Sequence, residues 1–123
     1  MLKDSLYIIH KITAENNSIE AVVELKEEHE IFKGHFPSQP VLPGACMLQM
    51  IKEISEAGLT VKLQLIKADD IKFLQMIVPE SNTVLLFSIQ YNFKESLLIN
   101  VSAKIVKADV ICCKLKALYQ VKT

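Results

Sequence analysis

The segment ACMLQMIKEISEA, residues 45–57, sets the architecture of this chain. Its apolar residues cover most of the circumference of an α-helix and leave one narrow polar stripe. The stripe repeats at i, i+3, i+4 and i+7 and consists of Gln49, Lys52, Glu53 and Glu56. Gly58 follows at the position typical of a glycine that ends a helix. A helix of about four turns that is apolar on most sides must be covered by the rest of the chain, which has the pattern of strands.

The segments on both sides of this helix predict a sheet. Residues 6–13 and 19–26 precede the helix, and the second of them alternates apolar and polar residues with a period of two. After the helix come 61–66, leading through a connection at 67–70 to 71–77, and then 83–93, 97–107 and 110–121. Connections at 94–96 and 108–109 are short enough for hairpins, which predicts an antiparallel meander. The predicted fold class is α+β, with a curved antiparallel sheet around one long central helix.

The composition limits the classes of function. The 123 residues fit a single domain, 1–123, and half of them are hydrophobic, which is enough for a packed core. The 14 lysines balance 14 acidic residues, so no bulk charge favours nucleic acid or an anionic membrane, and without arginine no bidentate clamp for phosphate is available. Neither a signal-peptide pattern nor an apolar run of about 20 residues is present. Three cysteines fit free thiols in a reducing compartment, so we expect a cytoplasmic protein.

The loop before the helix, GHFPSQPVLPG at residues 34–44, is the strongest candidate for an active site. Prolines at 37, 40 and 43 restrict the backbone and make the loop stiff. His35 lies in this loop just ahead of the helix N-terminus, where backbone N–H groups have no partner within the helix. A histidine beside such donors can act as a general base, so the loop is predicted to be an active-site loop.

The segment EIFKGHFPSQPVLPGACMLQ, residues 30–49, resembles the active-site segment of the FabZ/FabA-type 3-hydroxyacyl-[acyl-carrier-protein] dehydratases. A weaker similarity extends to ADDIKFLQMIVPESN, residues 68–82, which is similar to the family's strand with a phenylalanine followed by a Val-Pro turn. The resemblance implies the hot-dog fold and a homodimer or higher homo-oligomer with active sites at the subunit interface. It also implies acyl carrier protein as the partner that brings the thioester substrate, and it implies no cofactor.

The resemblance assigns three catalytic positions. His35 is the base that removes the proton next to the thioester, and the backbone N–H of Gly44 binds the thioester oxygen. The family's acid lies 14 positions after the histidine, on the partner's helix, and Gln49 occupies that position here. Because an amide has no proton to donate at accessible pH, Gln49 is predicted to orient the hydroxyl or a water, and dehydration is expected to be slow. Glu53, one turn further on, is interpreted as a surface glutamate rather than a substitute acid.

Five more residues are predicted to contact the substrate: Phe36, Val41, Pro43, Cys46 and Phe73. Phe36, Val41 and Pro43 also have a structural interpretation, because they anchor and shape the loop. Cys46 is interpreted as a core thiol rather than a nucleophile, since its neighbours are apolar. The three histidines have neither helical i, i+4 spacing nor zinc-finger spacing, so no metal site is predicted.

The predicted function is that of a (3R)-hydroxyacyl-ACP dehydratase-like protein in fatty-acid or polyene/polyketide-type synthesis. Two alternatives stay open. One is an acyl thioesterase on the same fold, in which Gln49 and His35 position a water beside the carbonyl. The other is a non-catalytic hot-dog subunit that pairs with an intact dehydratase, so that the partner supplies the acid.

Overall fold

The computed structural model describes residues 1–33 and 40–123, which form one antiparallel sheet and one long helix. The elements in chain order are β1 (Tyr7–Glu15), β2 (Ser18–Leu25), a single 3-10 turn (Glu30–Phe32), α1 (Gly44–Leu59), β3 (Lys62–Phe73), β4 (Val84–Glu95), β5 (Leu98–Lys107) and β6 (Val110–Lys122). The sheet has six strands in the order β1-β2-β4-β5-β6-β3. In the part of the chain so described, no helix is long and apolar enough to cross a membrane.

The core lies between α1 and the inner face of the sheet. Because side chains alternate between the two faces of a strand, every second side chain of the sheet points toward the helix. In β2 these are Ile19, Ala21, Val23 and Leu25, all buried. The helix contributes four buried side chains to this core: Met47, Met50, Ile51 and Ile54. The predicted fold, a curved antiparallel sheet around one central helix, is confirmed.

Tight turns set the register of two of the hairpins. Asn16 and Asn17, between β1 and β2, both have positive φ, and so do Ala108 and Asp109 between β5 and β6. Two consecutive residues of this kind are what a type I′ turn requires, and its twist matches that of the flanking strands. β4, β5 and β6 are sequential antiparallel neighbours, so the predicted meander is confirmed for these three strands.

The prediction for β3 was wrong in two respects. Residues 67–70, predicted as a connection, belong to one continuous strand, and residues 74–77 lie outside it. β3 also pairs with β6 at the edge of the sheet and is not a neighbour of β4. The register shifts between Leu65 and Lys67 and again between Ala68 and Asp70. Each bulge interrupts the apolar–polar alternation, so this part of the strand has the sequence pattern of a turn.

Gly58 does not end the helix as predicted. The helix continues to Leu59, and Thr60 is the residue in the left-handed conformation, with its N–H donating to the Glu56 carbonyl. Gly58 instead lies where the helix approaches β2 closely. A Cβ added there would sit 2.7 Å from Cδ1 and 2.9 Å from Cγ1 of the buried Ile19. The glycine is therefore required by helix–sheet packing.

At position 58 this packing makes glycine more favourable than alanine, although alanine has the higher helix propensity. We expect Gly58→Ala to lower the free energy of unfolding by about 1 kcal/mol, because overpacking against Ile19 outweighs the propensity gain. The neighbouring Ala57 is exposed. Ala57→Gly should destabilise by about 1 kcal/mol through propensity alone. Urea denaturation of both variants measures this, and a Gly58→Ala protein as stable as the wild type would contradict the packing explanation.

Candidate functional site

An apolar pocket of about 510 Å³ opens at the start of α1. It brings together Val41, Pro43, Gly44 and Phe73, four of the predicted site residues, although Phe73 lies in a strand that follows the helix. The Phe73 ring lies against Gly44, so closely that a Cβ on Gly44 would be 2.7 Å from the ring atom Cζ. Any larger residue at position 44 would displace this ring, so the glycine allows an aromatic wall to reach the first turn of the helix.

The first turn of α1 lies at this pocket and contains a backbone donor that has no partner among the described residues. Pro43 is the N-cap and supplies no side-chain hydrogen bond, while its carbonyl accepts from Cys46 N at 3.0 Å and Met47 N at 3.2 Å. Among residues 1–33 and 40–123, nothing accepts a hydrogen bond from the N–H of Gly44. The first turn also contains no acidic side chain. The positive end of the helix dipole, together with an N–H that has no acceptor in the described part of the chain, favours an oxygen that carries negative charge.

Gln49 lies in a different cavity. It lines a groove of about 490 Å³ between the helix and the strands at the β3 edge, with Leu65 and Tyr119 among its other walls. The pocket at Gly44 and this groove share no lining residue. Within one chain, the predicted oxyanion donor and the predicted hydroxyl-orienting residue are therefore presented on separate surfaces.

Glu53 is buried, which contradicts its interpretation as a surface glutamate. Only 3% of its surface is exposed, and its carboxylate accepts four hydrogen bonds. The backbone N–H groups of Leu2 and Lys3 and the Tyr7 hydroxyl each donate at 2.9 Å, and Gln49 Nε2 donates at 2.8 Å. We call this set the Glu53 network. It connects the N-terminal segment, β1 and the central helix through one carboxylate.

The Glu53 network keeps its carboxylate ionised. Burial by itself raises the pKa of Glu53, but the hydrogen bonds from Leu2, Gln49, Tyr7 and Lys3 outweigh burial and leave it below its ordinary value. Burial, reinforced by the nearby Glu53 carboxylate, raises the pKa of Tyr7, so Tyr7 stays a donor.

An ionised Glu53 determines which way the Gln49 amide points. A carboxylate only accepts hydrogen bonds, so the amide nitrogen of Gln49 must face it. The amide oxygen is then the end available to other groups. Gln49 can therefore accept a hydrogen bond from a hydroxyl or a water, and it has no acidic proton of its own.

The other predicted residues are placed as follows. His35 and Phe36 lie outside the described residues. Cys46 is half-buried and lines neither cavity, and burial raises the pKa of its thiol, which favours the unreactive form. His29 Nδ1 accepts from Ile31 N at 3.0 Å and caps the 3-10 turn, and His10 pairs with Glu24 on the surface. Over the two described stretches, no group of three or more potential metal ligands occurs.

Comparison with known structures defines the class of protein. A chain of the dehydratase heterocomplex ApeI:P from Xenorhabdus doucetiae superposes with a TM-score of 0.71 at 20% identity, over 92% of this chain and 96% of that chain. A hypothetical thioesterase from Streptococcus pneumoniae TIGR4, solved with coenzyme A, has a TM-score of 0.67 at 14% identity, over 98% and 91%. Thioesterase HI1161 from Haemophilus influenzae has a TM-score of 0.66 at 13% identity, over 95% and 78%. The protein is a hot-dog protein.

The family follows from the sequence itself. The family model for ApeI-like proteins, described as ApeI dehydratase, matches residues 11–112. The chain belongs to the ApeI-like dehydratase family. A search of curated proteins finds no match. The predicted resemblance to hot-dog dehydratases is thus confirmed at the level of the family, and the finer assignment to the FabZ/FabA type stays a prediction.

Sequence reasoning missed the Glu53 network. On a helical wheel Glu53 belongs to the same polar stripe as Lys52 and Glu56, and nothing local distinguishes a buried glutamate from a solvated one. The available signal was the stripe itself, because Gln49 and Glu53 stand at i and i+4 and were expected to be neighbours. The three remaining donors come from residues 46 to 51 positions away in the chain.

The Glu53 network makes a testable contribution to acid stability. Because the folded-state pKa of Glu53 lies below its unfolded value of about 4.3, ionisation stabilises the fold above that pH, and this stability is lost as the pH falls through the folded-state pKa. We expect Glu53→Gln to cost about 2–3 kcal/mol at neutral pH and to flatten the loss of Tm between about pH 6 and 3. Glu20→Gln, at an exposed position, is the control. An equal Tm slope in both variants would contradict an ionised, hydrogen-bonded Glu53.

Proposed function

We propose that the protein dehydrates 3-hydroxyacyl thioesters, or hydrates the corresponding enoyl thioesters, delivered by acyl carrier protein in a fatty-acid or polyene/polyketide-type synthesis. The observation that carries the proposal is the N–H of Gly44, which has no acceptor among residues 1–33 and 40–123 and lies at the start of a helix beside an apolar pocket walled by Phe73. That arrangement suits a thioester whose oxygen gains negative charge while an acyl chain lies on apolar surface. Membership of the ApeI-like dehydratase family supports it.

The proposed reaction divides the work among three groups. The imidazole of His35 takes the proton from the carbon next to the thioester, and the electron pair moves onto the thioester oxygen, where the Gly44 N–H stabilises it. The pair then returns to form the double bond as the β-hydroxyl leaves. Gln49 accepts a hydrogen bond from that hydroxyl, or from a water beside it, and so orients the leaving group. The proton that His35 removed passes to the hydroxyl, directly or through that water, so that the hydroxyl departs as water and the imidazole returns to its neutral form.

The separation of the two cavities supports a site built from two copies of the chain. A hydroxyl bound against Gly44 of one copy would meet Gln49 of another. Strand β3 offers the surface for such pairing, because it is a 12-residue strand at the sheet edge with exposed Leu65, Ile66 and Ile71. A long apolar edge of this kind is a template for another strand. We infer a homodimer through β3, with a second hot-dog chain that carries a carboxylate in place of Gln49 as the alternative partner.

Gln49→Glu tests the dehydratase function directly. The new carboxyl would stand next to the ionised Glu53, which raises its pKa and favours the protonated form that a general acid needs. We expect dehydration of a 3-hydroxyacyl thioester to rise by on the order of 10²-fold, and the gain to shrink with increasing pH as the carboxyl ionises. The measurement is enoyl thioester formation by absorbance and mass spectrometry.

Two control variants accompany this test. Gln120→Glu adds the same charge at an exposed position in β6 and should leave the rate unchanged. His35→Ala should abolish the activity of both the wild type and Gln49→Glu. An inactive wild type with no gain from Gln49→Glu, over a panel of chain lengths, would overturn the dehydratase proposal.

Thioester hydrolysis is the second candidate. Structural neighbours described as thioesterases favour it, and so does the amide oxygen of Gln49, which can hold a water. Hydrolysis releases a free thiol and dehydration releases none. A thiol-reactive dye assay on acyl thioesters therefore separates the two functions on the same samples.

A further inference from the structure

The outer face of the sheet, which points away from α1, carries an unusual line of lysines. The strand register places Lys72 of β3 opposite Lys114 of β6, and Lys114 opposite Lys104 of β5. All three are exposed, and we call them the lysine row. Lys116 lies two residues beyond Lys114 on the same face. Like charges directly opposite each other on neighbouring strands destabilise the sheet, so the lysine row lowers the stability of the fold.

The lysine row is poorly neutralised from within the chain. Lys72 approaches Asp70 at 3.8 Å, with both side chains about half exposed. In the structure as described, no carboxylate lies within ion-pair distance of Lys104, Lys114 or Lys116, although Asp70 stands directly opposite Lys116 in the register. The other acid on the row is Glu20, which lies at its far end and accepts a hydrogen bond from Ser88 at 2.8 Å. A shallow cavity of about 350 Å³ lies over this surface and adds neutral polar groups from Ser102 and Gln90.

An apolar row runs parallel to the lysine row on the same face. The register aligns Val22 of β2, Leu86 of β4, Val106 of β5 and Ile111 of β6 across four strands. Leu86 is 45% exposed, and the other three are partly exposed. Along β5 the apolar row stands two residues from the lysine row, a distance of about 7 Å. The outer face is therefore amphipathic, with positive charge on one side of a strip of aliphatic side chains.

We propose that this face docks an acidic amphipathic helix of a protein partner. An α-helix rises about 5.4 Å per turn, and neighbouring strands lie about 4.8 Å apart, so acidic residues one turn apart match lysines on successive strands. The aliphatic face of the helix covers the apolar row, while its acidic flank lies over Lys104, Lys114 and Lys72. Resting on the proposed function, we identify the partner as the carrier protein that presents the acyl thioester.

The lysine row is connected to the proposed active site through β3. Lys72 points to the outer face, and the next residue, Phe73, points to the inner face and packs on Gly44. A partner docked on Lys72 therefore lies at the same end of the strand as the apolar pocket.

Other polyanions fit this surface less well. A membrane would require aromatic or larger aliphatic anchors, whereas the apolar row contains three β-branched residues and one leucine, flanked by the carboxylates of Glu20 and Asp70. A nucleic acid would gain nothing from the apolar row, which has no aromatic side chain for base stacking.

The test is direct binding of the full chain to phosphopantetheinylated acyl carrier protein, followed by fluorescence anisotropy. We expect Lys104→Glu/Lys114→Glu to weaken binding at least about 10-fold, and Leu86→Gln to weaken it about 5-fold. Raising the salt concentration from about 50 to 200 mM should weaken wild-type binding. Lys62→Glu/Lys94→Glu makes the same change in charge at exposed positions outside the lysine row and the apolar row, and it should bind within about twofold of the wild type.

Three results would overturn the docking proposal: no binding by the wild type, equal losses in both double variants, or binding to anionic vesicles or RNA in place of the carrier. Turnover distinguishes this failure from that of the proposed function. With a small 3-hydroxyacyl thioester, the Lys104→Glu/Lys114→Glu variant should keep wild-type kcat/KM, while KM for carrier-bound substrate rises. Absence of turnover on both substrates, with carrier binding still lost in that variant, would reject the reaction and leave the docking surface standing.

Discussion

The arrangement of the candidate site depends on the hydrogen bonds that the buried carboxylate of Glu53 accepts. A buried charge is tolerated only when hydrogen bonds replace its hydration, and here two backbone N–H groups, a tyrosine hydroxyl and an amide do so. Because these donors come from the N-terminal segment, β1 and α1, one side chain ties the first residues of the chain to its central helix. The same carboxylate fixes the amide of Gln49, which presents an oxygen rather than a nitrogen to the groove.

The central helix keeps Gly44 and Gln49, the two candidate groups that it carries, apart from each other. Gly44 stands at its first position and lines the pocket walled by Phe73, while Gln49 lines a groove at the β3 edge. The N–H groups of the first turn point along the helix axis, whereas the Gln49 side chain leaves the helix sideways more than one turn later, so the two groups of one helix face different spaces. In the proposed homodimer, a two-fold related copy would bring the two groups together, because each copy would supply the donor to one site and the amide to the other.

Most of the fold was predictable from sequence, and so was the choice of Gly44 and Phe73 as candidate residues, which the structure places at one pocket; the reasons are local. Residues 45–57 form a helix that is apolar on most sides, which indicated that a sheet must cover it. The short connections around Asn16 and Ala108 indicated hairpins. Gly44 and Phe73 were identified because their motifs are contiguous in the chain. The burial of Glu53 was not predictable, since its donors Leu2, Lys3 and Tyr7 are distant in sequence. The course of β3 was missed because two bulges break its alternation, and the lysine row appears only once the register of β5, β6 and β3 is known.

Subunit complementation tests most directly the claim that each site combines the histidine loop of one copy with Gln49 of another. His35→Ala and Gln49→Leu proteins are each impaired in both sites of a homodimer, whereas a mixed dimer contains one intact site and one doubly altered site. After co-refolding of equal amounts, the account predicts that dehydration recovers to about one quarter of the wild-type specific activity, since half of the dimers are mixed and each has one working site. A mixture that stays as inactive as its components, while native mass spectrometry shows mixed dimers, would contradict a shared site.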